Sequence, residues 1–188
     1  MIYYKSKFIQ KYAYSIKKVI AMNAFVVSLF GHREIIDLYR LEERLIKVVK
    51  ELIQTKPYVV FLVGRNGEFD EYAASIIKRT SRKVKKENNE ITLVLPYTVS
   101  DIEYYEIYYN NVVLPERLCG AHHKAAITLR NRWMVEQSDL LICYVERENG
   151  GAYSALKYAQ KLGKQIVNLG KWSIKKDEQI RSKNNTQR

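Results

Sequence analysis

Hydrophobic residues along the chain alternate between short unbroken runs and longer segments with helical spacing. The runs are apolar almost throughout and predict strands buried on both faces. They cover Ala24–Phe30, Tyr58–Val63, Ile91–Leu95, Leu140–Val145 and Gln165–Leu169. Apolar positions three or four residues apart predict helices over Glu34–Gln54, Phe69–Lys83, Ala121–Gln137 and Ala152–Leu162. The Tyr-rich segment 97–120 has neither pattern, and we predict irregular structure with short helices there.

Strands that alternate with helices of this length are typical of βαβ units, whose right-handed crossovers place helices on both sheet faces. We therefore predict an α/β fold, a Rossmann-like parallel sheet of about five strands with helices on both faces. Helical spacing over residues 3–20 adds an N-terminal basic helix. The predicted organisation is a basic amphipathic extension (1–22), a Rossmann-like domain (23–170) and a basic polar tail (171–188).

Composition excludes a disordered or low-complexity chain, because 47% of the 188 residues are hydrophobic. The net charge of +12 is unevenly distributed. The extension carries +5, the tail +4 and residues 23–170 only +3. Within the domain, Lys78–Lys86 holds six basic residues and no acidic one. The two ends and this segment could contact nucleic acid, or the ends could serve docking or solubility.

The two cysteines, Cys119 and Cys143, argue against a disulfide-stabilised secreted protein and favour free thiols in a reducing cytoplasm. Cys119 with His122 and His123 lacks the four ligands of a structural zinc site, so we predict no metal. No run of about 20 apolar residues occurs, and no membrane span is expected.

Two motifs directly follow predicted strands, at the edge where open parallel sheets bind ligands. After the first strand comes Gly31-His32-Arg33, which suits an anion but also a plain tight turn with an exposed arginine. After the fourth comes a Gly-Gly turn into a helix, Gly150–Ser154, which suits a phosphate or is a glycine-assisted loop. Neither a Walker loop nor GxGxxG after the first strand occurs, so ATP hydrolysis and ordinary dinucleotide binding lose support.

The second predicted strand leads into the loop Gly64–Asp70, whose sequence is GRNGEFD. Its glycines, Gly64 and Gly67, are expected to permit turns with positive φ. The carboxylates of Glu68 and Asp70 could accept ribose hydroxyls or act in acid–base catalysis, although helix capping also explains Asp70.

Two further side chains are candidates for the same edge. Tyr97, after the third strand, could stack on a base or simply pack against the domain. Arg130, in the segment that ends the helix before the fourth strand, could hold a phosphate or carboxylate across the sheet end or cap its own helix.

Five motifs in this order resemble the SLOG superfamily, and within it the small bacterial YpsA-like branch. They are Gly31-His32-Arg33, GRNGEFD (64–70), LVLPY (93–97), RNRWMVEQSDLLICYV (130–145) and NGGAYSALKYA (149–159). The resemblance covers roughly residues 24–170 and implies a Rossmann-like sheet with a site for nucleotides or nucleotide-derived ligands. The wider group includes the Lonely Guy phosphoribohydrolases and the DNA-processing protein DprA. A homodimer is implied by the resemblance alone.

Compared with the phosphoribohydrolases, this chain keeps part of each site motif. Arg130 matches their arginine, whereas Asn131 replaces the lysine that follows it. The Met and Ser-Asp that come next in the family pattern are also kept, at Met134, Ser138 and Asp139.

In the family's glycine loop, Pro-Gly-Gly-x-Gly-Thr-x-x-Glu, this chain departs at the catalytic position. Gly150 and Gly151 match the first glycines, Ser154 stands at the Thr and Tyr153 replaces the third Gly. Lys157 stands where the catalytic Glu would be, which argues against the same hydrolase activity.

Three functions follow from these observations. The first is binding of a nucleotide-like small molecule, as in a sensor, with no cofactor. The second is cleavage or transfer at an N-glycosidic bond, with Glu68, Asp70 and Arg130 as candidate catalytic residues. The third is DprA-like nucleic-acid binding. The candidate ligand-binding residues are Gly31, His32, Arg33, Gly64, Asn66, Gly67, Tyr97, Asn131, Gly150, Gly151, Ala152, Tyr153 and Ser154.

Overall fold

The computed structural model describes residues 23–170, and the predicted N-terminal helix and polar tail lie outside them. The strands are β1 (Phe25–Gly31), β2 (Val59–Val63), β3 (Asn89–Val94), β4 (Asn111–Val113), β5 (Leu140–Tyr144) and β6 (Gln165–Asn168). The helices are α1 (Leu38–Thr55), α2 (Glu68–Val84), α3 (Ile102–Tyr108), α4 (His123–Gln137) and α5 (Gly150–Lys161), and a 3-10 turn spans Glu116–Leu118.

The strands form one parallel sheet in the order β4-β3-β2-β1-β5-β6. From β1 the chain runs outward to β2, β3 and β4, and then crosses back to β5 and β6 on the other side of β1. Helices α1 and α2 pack on one face, and α4 and α5 pack on the other. The predicted α/β Rossmann-like fold is confirmed.

Burial on both faces explains the unbroken apolar runs. Val27 and Leu29 of β1 pack with α1 and α2, whereas Val26 and Phe30 pack with α4 and α5. Because neighbouring strand residues point to opposite faces, nearly every position of β1 and β2 carries an apolar side chain, with the buried Ser28 of β1 as an exception.

The sheet has six strands rather than the five predicted, because β4 lies inside the Tyr-rich segment. Its three residues pair with β3 at the edge of the sheet. The side chain of Asn110 accepts a hydrogen bond from Ile91 N (2.8 Å) and fixes the entry into this strand. A strand this short leaves no run that a sequence pattern can show.

Helix α1 begins at Leu38, four residues later than the predicted start at Glu34. The Asp37 carboxylate caps it by accepting a hydrogen bond from Arg40 N (3.0 Å), which fixes the start there. Within residues 23–170 we find no helix whose length and apolar character would allow it to cross a membrane.

Candidate functional site

A cleft of about 310 Å³ opens at the carboxyl ends of β1 and β5. These neighbouring strands are where the chain reverses its direction across the sheet, the position at which open α/β sheets bind ligands. The cleft is lined by Leu29, Phe30, Gly31, His32, Arg33, Asn66, Asp70, Ile127, Arg130, Asn131, Arg147, Asn149, Gly150, Gly151 and Ala152.

Arg130 reaches the cleft from the middle of α4 and is only 4% exposed. Its Nη1 makes a long contact of 3.4 Å to the carbonyl oxygen of Val94, and its Nε is buried without a hydrogen-bond partner. Sequence placed this arginine near the end of its helix, but seven residues of α4 follow it. From the middle of the helix, the guanidinium lies over the carboxyl ends of the strands.

Gly64, at the end of β2, makes room for this guanidinium. A Cβ at Gly64 would lie 2.3 Å from Arg130 Nη1 and 2.7 Å from Asp70 Oδ2. The prediction that Gly64 and Gly67 adopt positive φ is wrong, since positive-φ glycines in the described chain are found elsewhere. Here glycine is required by close approach of side chains, not by backbone conformation.

Asp70 lies across from Arg130, and its Oδ2 accepts a hydrogen bond from Asn66 N (2.9 Å). Burial raises the pKa of the Asp70 carboxyl, while Arg130 and the Asn66 amide oppose that rise. Burial lowers the pKa of Arg130, and Asp70 opposes that change. The guanidinium remains a cation. This wall of the cleft therefore holds charge that water solvates poorly.

The opposite wall is the N-terminus of α5. Asn149 is the N-cap residue, yet no side chain caps the first turn. Gly150 has a φ of +83°, in the left-handed region that favours glycine, and opens the turn. Gly151 faces Asn131, whose Nδ2 is 3.5 Å from the position of a Cβ there and whose Oδ1 is buried without a partner. The backbone amides of the first turn have no side-chain cap, and the helix dipole places partial positive charge at this end. The N-terminus of α5 is therefore a favourable place for an anion.

His32 ties the loop after β5 to the end of β1. Its ring is 6% exposed, and Nε2 accepts hydrogen bonds from Glu146 N (3.1 Å) and Arg147 N (3.2 Å). Burial lowers the pKa of His32, Arg147 lowers it further and Glu146 opposes them. A nitrogen that accepts two hydrogen bonds carries no proton, so the imidazole is neutral.

Solved structures share this architecture at low sequence identity. DNA processing protein A (DprA) from Streptococcus pneumoniae is 15% identical with a TM-score of 0.56, covering 77% of this chain and 50% of its own. DprA from Helicobacter pylori is 18% identical with a TM-score of 0.53, covering 76% and 63%. The molybdenum cofactor carrier protein from Chlamydomonas reinhardtii is 14% identical with a TM-score of 0.51, covering 87% and 86%.

The described chain has the Rossmann-like fold of these structures. It spans about half to two thirds of the DprA structures and most of the carrier protein. No family model and no curated protein matches the sequence. The likeness confirms the resemblance at the level of the fold, and the YpsA-like branch stays a prediction.

The cleft is rich in positively charged side chains. Arg33, Arg130 and Arg147 line it, and Asp70 is the one carboxylate among the lining residues of the described chain. Beside Arg130 lies Arg65, whose Nη1 donates a hydrogen bond to the Tyr105 hydroxyl (2.6 Å). An anionic ligand would offset the repulsion between these guanidinium groups.

Most of the predicted site residues come together in this cleft. Those that line it are Gly31, His32, Arg33, Asn66, Asp70, Arg130, Asn131, Gly150, Gly151 and Ala152. Their roles stay predictions, but the motifs that follow separate strands do converge on one space.

Other predicted residues support the loops and do not line the cleft. Glu68 is exposed, accepts a hydrogen bond from Ile35 N (2.9 Å) and donates its own amide to Arg33 O (3.0 Å). Gly67 has an extended φ of −172°, and a Cβ there would be 3.1 Å from Arg33 Cα. The Tyr97 ring stacks on His123 at a centroid distance of 3.9 Å.

Residues after the Gly-Gly turn lie along α5 beyond the cleft lining. Tyr153 packs against the core on the α4 side, and Ser154 donates a hydrogen bond to Gly150 O (3.0 Å). Lys157, at the position of the family's catalytic carboxylate, is exposed and does not line the cleft.

The sequence did not predict five of the cleft residues, which are Leu29, Phe30, Ile127, Arg147 and Asn149. Asn149 directly precedes the Gly-Gly turn and Arg147 lies three residues before Gly150, and this nearness to the turn was the available signal. Ile127 lies three residues before Arg130 on α4, one helical turn away, so helical spacing from Arg130 could have found it.

The structure gives no support for a metal site in the part it describes. Within residues 23–170, no group of three or more His, Cys, Asp or Glu side chains is placed to hold a metal ion. Cys119 is an exposed free thiol and Cys143 a buried one.

Proposed function

We propose that the cleft binds a nucleotide or nucleotide-derived small molecule and that the protein acts as a sensor of it. The observation that carries this proposal is the buried Arg130, with its unpartnered Nε, facing the uncapped N-terminus of α5. Leaving such a group buried and unpaired is costly, and an anionic oxygen would satisfy it.

In this proposal a phosphate sits on the amides of Gly150–Ala152, with Arg130 as its charge partner. Arginine can bind phosphate through two parallel hydrogen bonds, and helix N-termini bind phosphate through backbone amides. Asn66 and Asp70, which line the opposite wall, would contact a ribose. The volume of about 310 Å³ is at the lower end of the range for small-molecule sites.

The test is thermal unfolding of the full chain with a panel of nucleotides. We expect at least one nucleotide to raise the Tm, and Arg130→Met to abolish that rise. Arg132→Met is the matched control, because Arg132 is exposed on the same helix and lies over the Tyr158 ring. The absence of any shift at millimolar nucleotide would contradict the proposal.

A second candidate function is cleavage or transfer at an N-glycosidic bond. Asp70 favours it, since this carboxyl lines the cleft and burial raises its pKa toward the range of a general acid. Nucleoside monophosphates and NAD would be incubated with the protein and assayed for free base. We expect Asp70→Asn to abolish release and Glu68→Gln to retain it; equal release by both would exclude Asp70 from the reaction.

A third candidate is nucleic-acid binding. The Helicobacter pylori DprA is described by its single-stranded DNA binding mode. In this chain Arg82, Lys83 and Lys85 are exposed at the end of α2, at the sheet edge opposite the cleft. Binding through them would weaken steeply with salt, and the triple change to Gln would flatten the salt dependence. Salt-independent binding would contradict a phosphate-contacting role.

The remaining expectations belong to the same proposal. They are membership of the YpsA-like branch, a homodimer, a cytoplasmic location and the division into extension, domain and tail at residues 22 and 170.

A further inference from the structure

The loop Glu146–Asn149 shapes one side of the cleft. It carries Arg147 and Asn149, which line the cleft, and it ends at Gly150, the first residue of α5. Two successive amides of this loop, from Glu146 and Arg147, donate to the same nitrogen of His32. One buried imidazole therefore fixes the direction in which the loop leaves β5.

This arrangement depends on the protonation state of His32. Nε2 accepts hydrogen bonds only when it is unprotonated, with the ring proton on Nδ1. Protonation would turn Nε2 into a donor that faces two donors at 3.1 and 3.2 Å. The backbone of His32 stays bound to β5 in either state, since its amide donates to Tyr144 O (3.2 Å).

We propose that His32 is a positioning residue that couples ligand binding in the cleft to pH, its neutral ring holding the Glu146–Asn149 loop in the binding shape. This inference rests on the proposed function and concerns the regulation of the same site. It assigns His32 a role in shaping the cleft and not in contacting the ligand.

Charged groups around the His32 ring shift its pKa in both directions. From the loop after β5, Arg147 disfavours the imidazolium and Glu146 favours it. Arg33 is its neighbour in the chain, and Asp70 on α2 and Arg130 on α4 line the same cleft. The Tyr144 hydroxyl, from β5, accepts a hydrogen bond from Ile36 N (3.3 Å) and is hydrogen-bonded to the side chain of Glu146.

The sign of the pH effect separates this role from direct ligand contact. Because burial lowers the pKa of His32, the neutral ring stabilises the folded loop above about pH 6.5, and that stability is lost as the pH falls through the folded pKa. An anion would therefore bind more weakly in acid. If His32 touched the anion directly, its protonation would strengthen binding.

The experiment uses the full chain and sulfate as a probe, since sulfate does not titrate between pH 5 and 8. Amide shifts of Gly150 and Gly151 report sulfate binding at constant ionic strength, and hydrogen exchange at Glu146 and Arg147 reports the loop without any ligand. We expect sulfate affinity to fall about tenfold between pH 7.5 and 5, as the loop loses both hydrogen bonds, and exchange at the two amides to accelerate beyond its intrinsic pH dependence.

Two variants test whether the hydrogen-bond acceptor at Nε2 of His32 is responsible for the effect. His32→Gln can place an amide oxygen near Nε2 and does not titrate, so it should retain the loop and remove the pH dependence. His32→Leu fills the space without an acceptor and should bind sulfate weakly at both pH values. Thermal unfolding confirms that each variant is folded.

The proposal is overturned if His32→Gln keeps the wild-type pH dependence, or if the wild type binds sulfate more tightly in acid. If sulfate shifts neither glycine amide at any pH, the proposed anion site is wrong and the coupling is wrong with it. Amide exchange then still shows whether His32 holds the loop, so the two failures are distinguishable.

Discussion

Two glycines that border the cleft are expected to respond in opposite ways to the same added methyl group. Gly64→Ala would force a Cβ within 2.3 Å of Arg130 Nη1, so the guanidinium or the strand end must move. We expect a loss of about 1–3 kcal/mol in the free energy of unfolding, together with loss of nucleotide binding.

Gly151→Ala is the matched control for Gly64→Ala. Its Cβ would lie 3.5 Å from Asn131 Nδ2, an ordinary contact, and an alanine within a helix gains up to about 1 kcal/mol over glycine. Urea unfolding of both variants measures the difference. Equal destabilisation of the two would show that Gly64 is not held by side-chain crowding.

At single residues, many of the side chains that meet in the cleft could be predicted, whereas the packing between them could not. The segments that follow strands pointed to Asp70 and Gly150 as cleft residues, because parallel strands bring their carboxyl ends together, whereas Arg130 was a candidate from the helix before a strand. Glu68 was also a candidate, yet its carboxylate accepts a hydrogen bond from the Ile35 amide. Glu68 and Asp70 both lie in the first turn of α2, and the orientation of that turn decides which carboxylate faces the cleft. The spacing of apolar residues along the sequence does not determine that orientation.

Two residues of the phosphoribohydrolase pattern, Ser138 and Asp139, make hydrogen bonds that hold the fold together. The Ser138 hydroxyl donates to Met134 O (2.6 Å) and contacts the Ser28 hydroxyl. The Asp139 carboxylate accepts a hydrogen bond from Val26 N (2.8 Å). These residues join the end of α4 to β1 and thereby set where Arg130 lies, without contacting the cleft.

Among the elements, the N-terminus of α5 gives a prediction in which stability and binding change in opposite directions. Asn149→Asp adds a negative charge at the positive end of a helix, which should raise the free energy of unfolding by about 0.5 kcal/mol. The same charge would repel a phosphate, and we expect nucleotide affinity to fall about tenfold.

Gln165→Glu is the control for Asn149→Asp, since it makes the same charge change at an exposed position of β6, away from the cleft lining. It should leave affinity unchanged. Calorimetric titration and thermal unfolding give both quantities. Unchanged affinity in Asn149→Asp would mean that the phosphate does not sit at this helix end.

The long elements were predictable to within a few residues because each satisfies a strong pattern. The central strands are apolar on both faces, and α1 buries Leu41, Leu45 and Val49 at a spacing of four. β4 was missed, since its identity as a strand comes from pairing with β3 and from the Asn110 side chain. Such an edge strand is defined by its partners.

For the described part of the molecule, the basic residues fall into two groups that lie in different places. The Lys78–Lys86 segment ends at the opposite sheet edge from the cleft, and part of it is already engaged. Arg79 pairs with Glu42 at 3.0 Å, and Lys86 donates to Gln54 O (3.1 Å). The arginines of the cleft are a separate group, so a small anion and a nucleic acid would not compete for the same side chains.

The two thiols give a prediction that reports on the entire fold. Cys143 lies in β5 between β1 and β6, is fully buried, and burial raises its pKa to about 12. Cys119 is exposed. At pH 8 a thiol reagent should therefore modify Cys119 rapidly, and Cys143 only when the sheet opens.

Nucleotide should slow modification of Cys143 and leave Cys119 unaffected. The cleft lies at the ends of β1 and β5, so a ligand that binds only the folded state lowers the population in which these strands separate, by a factor of 1 + [L]/Kd. A Cys119→Ser variant isolates the slow thiol, and the dependence of its rate on nucleotide concentration yields Kd without a thermal transition.

If Cys143 reacts as fast as Cys119, the central strands open locally. If nucleotide protects Cys143 in Arg130→Met as well as in the wild type, the ligand binds without the buried guanidinium.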